Sequence, residues 1–204
     1  MDWIAENVTL LQLGLTALSA VVWLAYLQLL YLSFTRQRQA VVMIHHGAAE
    51  DDRARCIITN MGTEPVYVIA ILARLEVAGK NHHASVIDRE ELEFEDLDNP
   101  LKRTSQGPLK SGEYMDVGSF GDIIFRACRR LGLEETPQVD AVEITVGAAS
   151  GHASNLVVAN RTFRRRADSA GNVRFVPTTL LTKQVRGSWY RRKLLKRLNY
   201  DDAA

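Results

Sequence analysis

The chain is 204 residues long, 47% hydrophobic and 24% charged, with a formal net charge of only +1. A balance so close to zero excludes a protein that coats nucleic acid through its whole surface, and leaves only local basic patches to consider. The two cysteines, Cys56 and Cys128, lie far apart in sequence; this excludes a dense disulfide framework and a paired zinc spacing, and each is expected to act as a small buried apolar side chain.

The first predicted element is a membrane anchor, residues 1–38. No charged residue occurs from Asn7 through Thr35, and Val8 to Phe34 is dominated by Leu, Val, Ala, Trp and Tyr. The run exceeds the roughly 20 residues a helix needs to cross about 30 Å of hydrocarbon, so a single transmembrane helix with room to tilt is predicted. Trp3 at one end, and Tyr26 and Tyr31 toward the other, suit the headgroup region. A cleaved signal peptide is opposed by Asp2 and Glu6 at the start and by an apolar run that continues well past Ala17-Leu18-Ser19-Ala20. No Lys or Arg precedes the run, whereas Arg36 and Arg38 follow it at once and Arg53 and Arg55 a little later. The positive flank predicts a cell-membrane protein with its N-terminus outside and its C-terminal domain in the cytoplasm. Thr9, Gln12, Thr16 and Ser19 recur at helical spacing along one face of the span. They are candidates for contact with another helix, against the plainer reading that the hydroxyls bond back to their own helix.

Next comes one compact domain, residues 39–183. Gln39 to His46, Arg53 to Thr59 and Val66 to Val77 are rich in β-branched and apolar residues, with Gly47 and Asn60-Met-Gly-Thr-Glu-Pro65 as punctuation, and read as three consecutive strands. Further strands are expected at Ala84 to Ile87, Tyr114 to Val117, Ala141 to Val146 and Asn155 to Arg165. The last should form a hairpin with Val173 to Val176 through the turn Asp168-Ser-Ala-Gly-Asn172. Many short strands and few helices predict a mainly β fold, a β-sandwich of immunoglobulin-like or related arrangement. One internal helix is expected after Gly118. Ser119 caps it, Ile123, Ile124, Ala127, Cys128 and Leu131 face inward, Arg126, Arg129 and Arg130 lie largely outside, and Gly132 stops it. The final segment, residues 184–204, is expected to hold a basic amphipathic helix over Ser188 to Leu198. Trp189, Leu194, Leu195 and Leu198 supply its apolar contacts; Arg191, Arg192, Lys193, Lys196 and Arg197 supply its charge.

The chain carries no complete catalytic or metal-binding motif. Neighbouring residues of a strand point to opposite faces, so neither His45-His46 nor His82-His83 can easily put both rings on one metal, and His152 stands alone in sequence. Gly118-Ser119-Phe120-Gly121 falls short of a nucleophile elbow, and Gly107-Pro-Leu-Lys-Ser-Gly112 lacks the Gly-Lys-Ser/Thr ending of a phosphate loop. The acidic run from Asp88 to Asp98 has no calcium-loop pattern and reads as a solvated connector. No catalytic residue, metal or cofactor is assigned. The expected basic patch joins Arg164, Arg165 and Arg166 to Arg191, Arg192, Lys193, Lys196 and Arg197, within reach of anionic lipid headgroups on the inner leaflet; the final helix reads equally as an arm on that leaflet or as a helix packed on the β domain with a solvated basic face. Nucleic acid is disfavoured because aromatic residues are not interleaved with these charges. The leading expectation is a single-pass, non-enzymatic interaction module with a protein partner. The alternatives are a membrane-bound enzyme using an unrecognised His/Asp site around His152, or a small accessory subunit of a transporter or envelope complex, joined through Thr9, Gln12, Thr16 and Ser19.

Overall fold

The computed structural model describes residues 7–37, 40–47, 53–89, 103–133, 137–150, 156–167 and 173–185. The chain divides into two compact units, Met1–Gln39 and Ala40–Ala204.

The first unit holds helix α1, Val8–Gln37. It is apolar all round, the pattern of a helix made for a uniformly apolar surrounding and not for one face of a core. Its stretch Val8–Phe34, 27 residues, is long and apolar enough to cross a membrane, and none of that apolar window is buried. Trp23 and Tyr26, one turn apart, meet edge to face with ring centroids separated by 6.1 Å.

The second unit is mainly β. Its strands are β1 (Val42–Gly47), β2 (Arg55–Asn60), β3 (Val66–Val77), β4 (Lys80–Ser85), β5 (Gly107–Leu109), β6 (Tyr114–Ser119), β7 (Ala141–Ser150), β8 (Leu156–Ala167), β9 (Val173–Pro177) and β10 (Lys183–Val185), with helix α2 (Phe120–Arg130) between β6 and β7. They form two antiparallel sheets, a three-stranded one in the order β1-β2-β6 and a seven-stranded one in the order β10-β8-β7-β3-β4. On the large sheet, β5 pairs with the start of β3 and β4 with its end, while β10 pairs with the first half of β8 and β9 with the second.

The alternation of side chains decides which faces meet. Val42 and Ile44 of β1, Ile58 of β2 and Val117 of β6 share one apolar core with Ile71 and Leu75 of β3, Val142, Ile144 and Val146 of β7, and Ala159 and Phe163 of β8. In β3 the register slips between Val68 and Ala70. That extra residue turns Ile69 outward and lets Val66 and Val68 before it, and Ile71, Ala73 and Leu75 after it, all face the core. Helix α2 closes the core with Phe120, Ile123, Ile124, Ala127 and Cys128. Phe120 packs between Phe163 and Phe175, at centroid distances of 4.8 and 5.3 Å.

The expected cap of α2 is present in full. Ser119 Oγ accepts from the Asp122 N–H, and Asp122 Oδ2 accepts from the Ser119 N–H. At the other end Gly132 takes φ +67°, its N–H donates to the Arg129 carbonyl and the Leu133 N–H to the Cys128 carbonyl, a Schellman stop. Arg126 corrects the sequence reading: it is not outside but 1% exposed. Three other elements also depart from expectation. The strand expected at Ala84 to Ile87 runs instead over β4 and joins β3 through the tight turn Ala78-Gly79, both at positive φ; β5 and β10 are three-residue strands with too little pattern to be read. The expected helix over Ser188 to Leu198 lies outside the described residues.

Candidate functional site

The chemically unusual part of the domain is the seam where β8 of the large sheet meets β1 of the small one. The inward phase of β8 is Val157, Ala159, Arg161, Phe163, so a guanidinium stands where an apolar side chain is the rule. Arg161 is 6% exposed. Its Nη1 donates to the Ile44 carbonyl at 2.7 Å, and its Nη2 to the carbonyls of Thr179 and Leu180 at 2.8 and 3.0 Å. The guanidinium carbon also lies 5.6 Å from the centre of the Phe163 ring. Burial lowers the Arg161 pKa, yet a guanidine stays protonated at any physiological pH. Its Nε is buried without a hydrogen-bond partner.

Two more side chains complete the seam by imitating a strand. Thr182 Oγ1 accepts from the Ile44 N–H at 2.8 Å and donates to the Ile44 carbonyl at 3.1 Å. The Gln184 amide does the same for Val42, its Nε2 donating to the carbonyl at 2.6 Å and its Oε1 accepting from the N–H at 3.4 Å. Backbone groups on the free edge of β1, which a neighbouring strand would otherwise satisfy, are thus met by side chains. His46, at the exposed end of β1, meets Phe163 in a T-shaped contact with ring centroids 6.0 Å apart. The pKa of His45 is lowered by burial, by the Arg161 charge and by His46; that of His46 is lowered by burial and by Arg161. Both imidazoles are therefore neutral near pH 7, and the fixed Arg161 cation opposes a metal ion beside them.

A second buried arginine organises the other end of the small sheet. Arg126 Nη1 donates to the Val86 carbonyl at 2.8 Å, Nη2 to that of Val117 at 2.5 Å and Nε to that of Asp122 at 3.3 Å. Gly118, at φ +116°, makes room for it: a Cβ there would stand 2.9 Å from Arg126 Nη2. Cys56 lies nearby, fully buried, and burial pushes its thiol up to about 12 against the opposing pull of Arg126. A thiol held so far from ionisation is not a nucleophile at neutral pH. Burial raises the Cys128 pKa as well.

Among the described residues, those singled out from sequence fall on separate elements. On α1, Thr16 Oγ1 donates to the Gln12 carbonyl at 2.8 Å and Ser19 Oγ to the Leu15 carbonyl at 2.9 Å, the back-bonding that leaves these hydroxyls little to offer a second helix. Thr9 and Gln12 are exposed on the same helix. Arg164, Arg165 and Arg166 sit at the end of β8 where β7 begins, the Arg165 N–H donating to the Asp140 carbonyl. Gln184 ties Val42 to the level of its partner Ala159 on β8, so this basic triplet lies about 20 Å along the strand from the start of β1. Arg191, Arg192, Lys193, Lys196, Arg197, Trp3 and His152 lie outside the described residues, as does most of the acidic run after Asp88. Ser119 is occupied as a cap, and Gly107 to Gly112 form β5 and the turn after it. Among the described residues no group of three or more His, Cys, Asp or Glu could hold a metal ion.

Arg126 and Arg161 are the residues that sequence reasoning missed. A signal existed for Arg161, which shares the strand phase of Val157, Ala159 and Phe163; for Arg126 it was only the place directly before Ala127-Cys128 in the helix. Comparison with family models, with curated proteins and with solved structures finds no match to this chain.

Proposed function

We propose that this chain is a single-pass membrane-anchored interaction module, without enzymatic activity, in which α1 holds an immunoglobulin-like or related β-sandwich at the cytoplasmic face of the cell membrane and presents it to a protein partner. The observation that carries the reading is the loop between β9 and β10. Leu180 and Leu181 are 88% and 71% exposed, yet the loop behind them is anchored. Arg161 binds the carbonyls of Thr179 and Leu180, the Thr178 N–H donates to the Thr162 carbonyl, and Thr179 Oγ1 donates to the Leu181 carbonyl. A pair of solvated leucines on a pre-ordered loop costs little entropy to dock and offers the apolar contact from which binding hot spots are built.

The reactive groups support the same reading from the other side. The buried arginines serve backbone carbonyls, Ser119 serves a helix cap, and Cys56 is far from ionisation. Orientation follows from the basic flank Arg36, Arg38, Arg53 and Arg55. Arg164, Arg165 and Arg166, at the far end of β8 from the start of β1, extend the partner-facing surface and favour an acidic partner.

The test is cross-linking in intact cells through a photoreactive residue placed at Thr179, comparing the natural chain with Leu180→Asp/Leu181→Asp. Both leucines are solvated, so the variant keeps its fold, and loss of a discrete cross-linked species is expected. An unchanged species removes the loop as the docking element. Turnover of a substrate by the purified protein, abolished by one polar substitution, overturns the non-enzymatic reading.

A further inference from the structure

The hairpin of β8 and β9 carries three arginines on one face. Phe163 and Phe175 point into the core, and Arg165, directly opposite Phe175, shares their phase. Arg164, Arg166 and Arg174 take the other phase and are exposed. Arg166 and Arg174 are direct cross-strand partners, and Arg164 stands diagonal to Arg174, two residues along from Arg166. Directly opposed residues hold their Cβ atoms about 5 Å apart and diagonal ones about 7–8 Å apart, so three guanidinium groups share one small patch. Like charges so placed repel. Among the described residues no carboxylate is paired with any of the three. Glu143, on the same face of the large sheet, is already engaged: Arg74 Nη2 meets its Oε2 at 2.8 Å, and Thr162 Oγ1 donates to the same oxygen at 3.2 Å. Glu76 lies two strands from Arg164, about 10 Å away across Ala141.

The backbone ladder of the hairpin, and the packing of Phe163 and Phe175 on Phe120 beneath it, fix the stems of these side chains, so they cannot drift apart to relieve the repulsion. An anion seated between them offsets it. A carboxylate offers two oxygens and one charge, enough for one arginine fork. A phosphate monoester offers three terminal oxygens and a charge of about −1.5 to −2 near pH 7, enough for two or three forks. Every cation of the cluster is an arginine and none a lysine, the choice that planar, bidentate recognition of phosphate favours. We propose that Arg164, Arg166 and Arg174 form a binding site for a phosphate monoester, with Arg166 and Arg174 gripping it from opposite strands and Arg164 closing the third side. Arg165, in the other phase, takes no part. The site goes beyond the docking loop and does not rest on it.

The experiment uses the full chain in phosphatidylcholine nanodiscs, with radiolabelled inorganic phosphate as the probe and equilibrium dialysis as the readout. The proposal predicts saturable binding, weakened at least tenfold by Arg166→Lys/Arg174→Lys, which keeps both charges and removes both forks. Arg165→Lys and Leu180→Asp/Leu181→Asp leave binding unchanged. Arg166 and Arg174 are exposed, so the double lysine variant keeps its fold, and an unchanged urea midpoint verifies it. Nanodiscs containing phosphatidic acid, whose headgroup is a monoester, separate the two sources of that group. Loss of free-phosphate binding there, with binding kept in phosphatidylserine discs of matched surface charge, assigns the site to a lipid headgroup. Binding kept in both assigns it to a soluble phosphomonoester. Absence of binding at millimolar phosphate overturns the proposal. So does binding that the lysine variant leaves untouched, or that is lost equally in both kinds of disc, because the hairpin is then only a positive surface.

Discussion

At the scale of single residues, the domain is held by two arginines where apolar side chains are expected. Each serves as a multiple donor to carbonyls that no strand reaches: Arg126 to Val86, Val117 and Asp122, Arg161 to Ile44, Thr179 and Leu180. The burial of a guanidinium is tolerable only with its donors met, and removing it would strand the same carbonyls. The seam also gives the domain a pH response. The pKa values of His45 and His46 are lowered from 6.5 by burial and by that charge, so the unfolded chain binds protons more readily than the folded one. Stability is fully present above the ordinary histidine range and is lost as pH falls through the lowered values. The midpoint of urea unfolding, followed by circular dichroism, should therefore fall between about pH 7 and about pH 5.5, before most carboxylates titrate. His45→Gln/His46→Gln should flatten that fall.

At the scale of elements, what was legible and what was not follows from how local each signal is. β1, β2, β3 and α2 announce themselves because alternation, a Ser119-Asp122 capping box and a Gly132 stop are written within a few residues. β5 and β10 do not, since a three-residue strand carries no period and exists only through its partner. The β3–β4 turn was missed because its first residue is Ala78, which takes φ 47° although alanine disfavours the left-handed region. That position makes a prediction: with Gly79 following at φ 76°, the turn geometry favours Asn-Gly. Ala78→Asn should raise stability by about 0.5–1 kcal/mol, read as a higher urea midpoint with an unchanged slope. An unchanged or lower midpoint would show that the alanine is not strained there. Of the seam, His45-His46 was singled out beforehand, as a pair unable to share one metal. The seam was hidden because it joins residues such as Ile44 and Thr182 that only the packing of two sheets brings together.

At the scale of the whole molecule, the two units divide the work. α1 exposes its apolar side chains all round, and an isolated helix of that kind has no stable place in water. The chain should therefore stay with the membrane pellet through carbonate and high-salt washes, while a form beginning at Gln39 should be released to the supernatant. Release of the full chain by carbonate would mean that the helix does not span. Within the second unit, Leu180, Leu181 and the Arg164 triplet lie along β8 and its neighbours, beyond the level of Val42.

The divided margins of the large sheet carry a consequence for copies of this domain brought close together. Its long strands β3 and β8 are bordered over most of their length by shorter ones; β4 and β5 share one side, and β9 and β10 the other, each a strand of six residues or fewer. A second copy arriving edge-on therefore meets broken, offset rows of backbone donors and acceptors, too short to template a continuous ladder. On the small sheet the β1 edge is stoppered by Thr182 and Gln184. An interrupted border lets such domains crowd together without polymerising strand to strand.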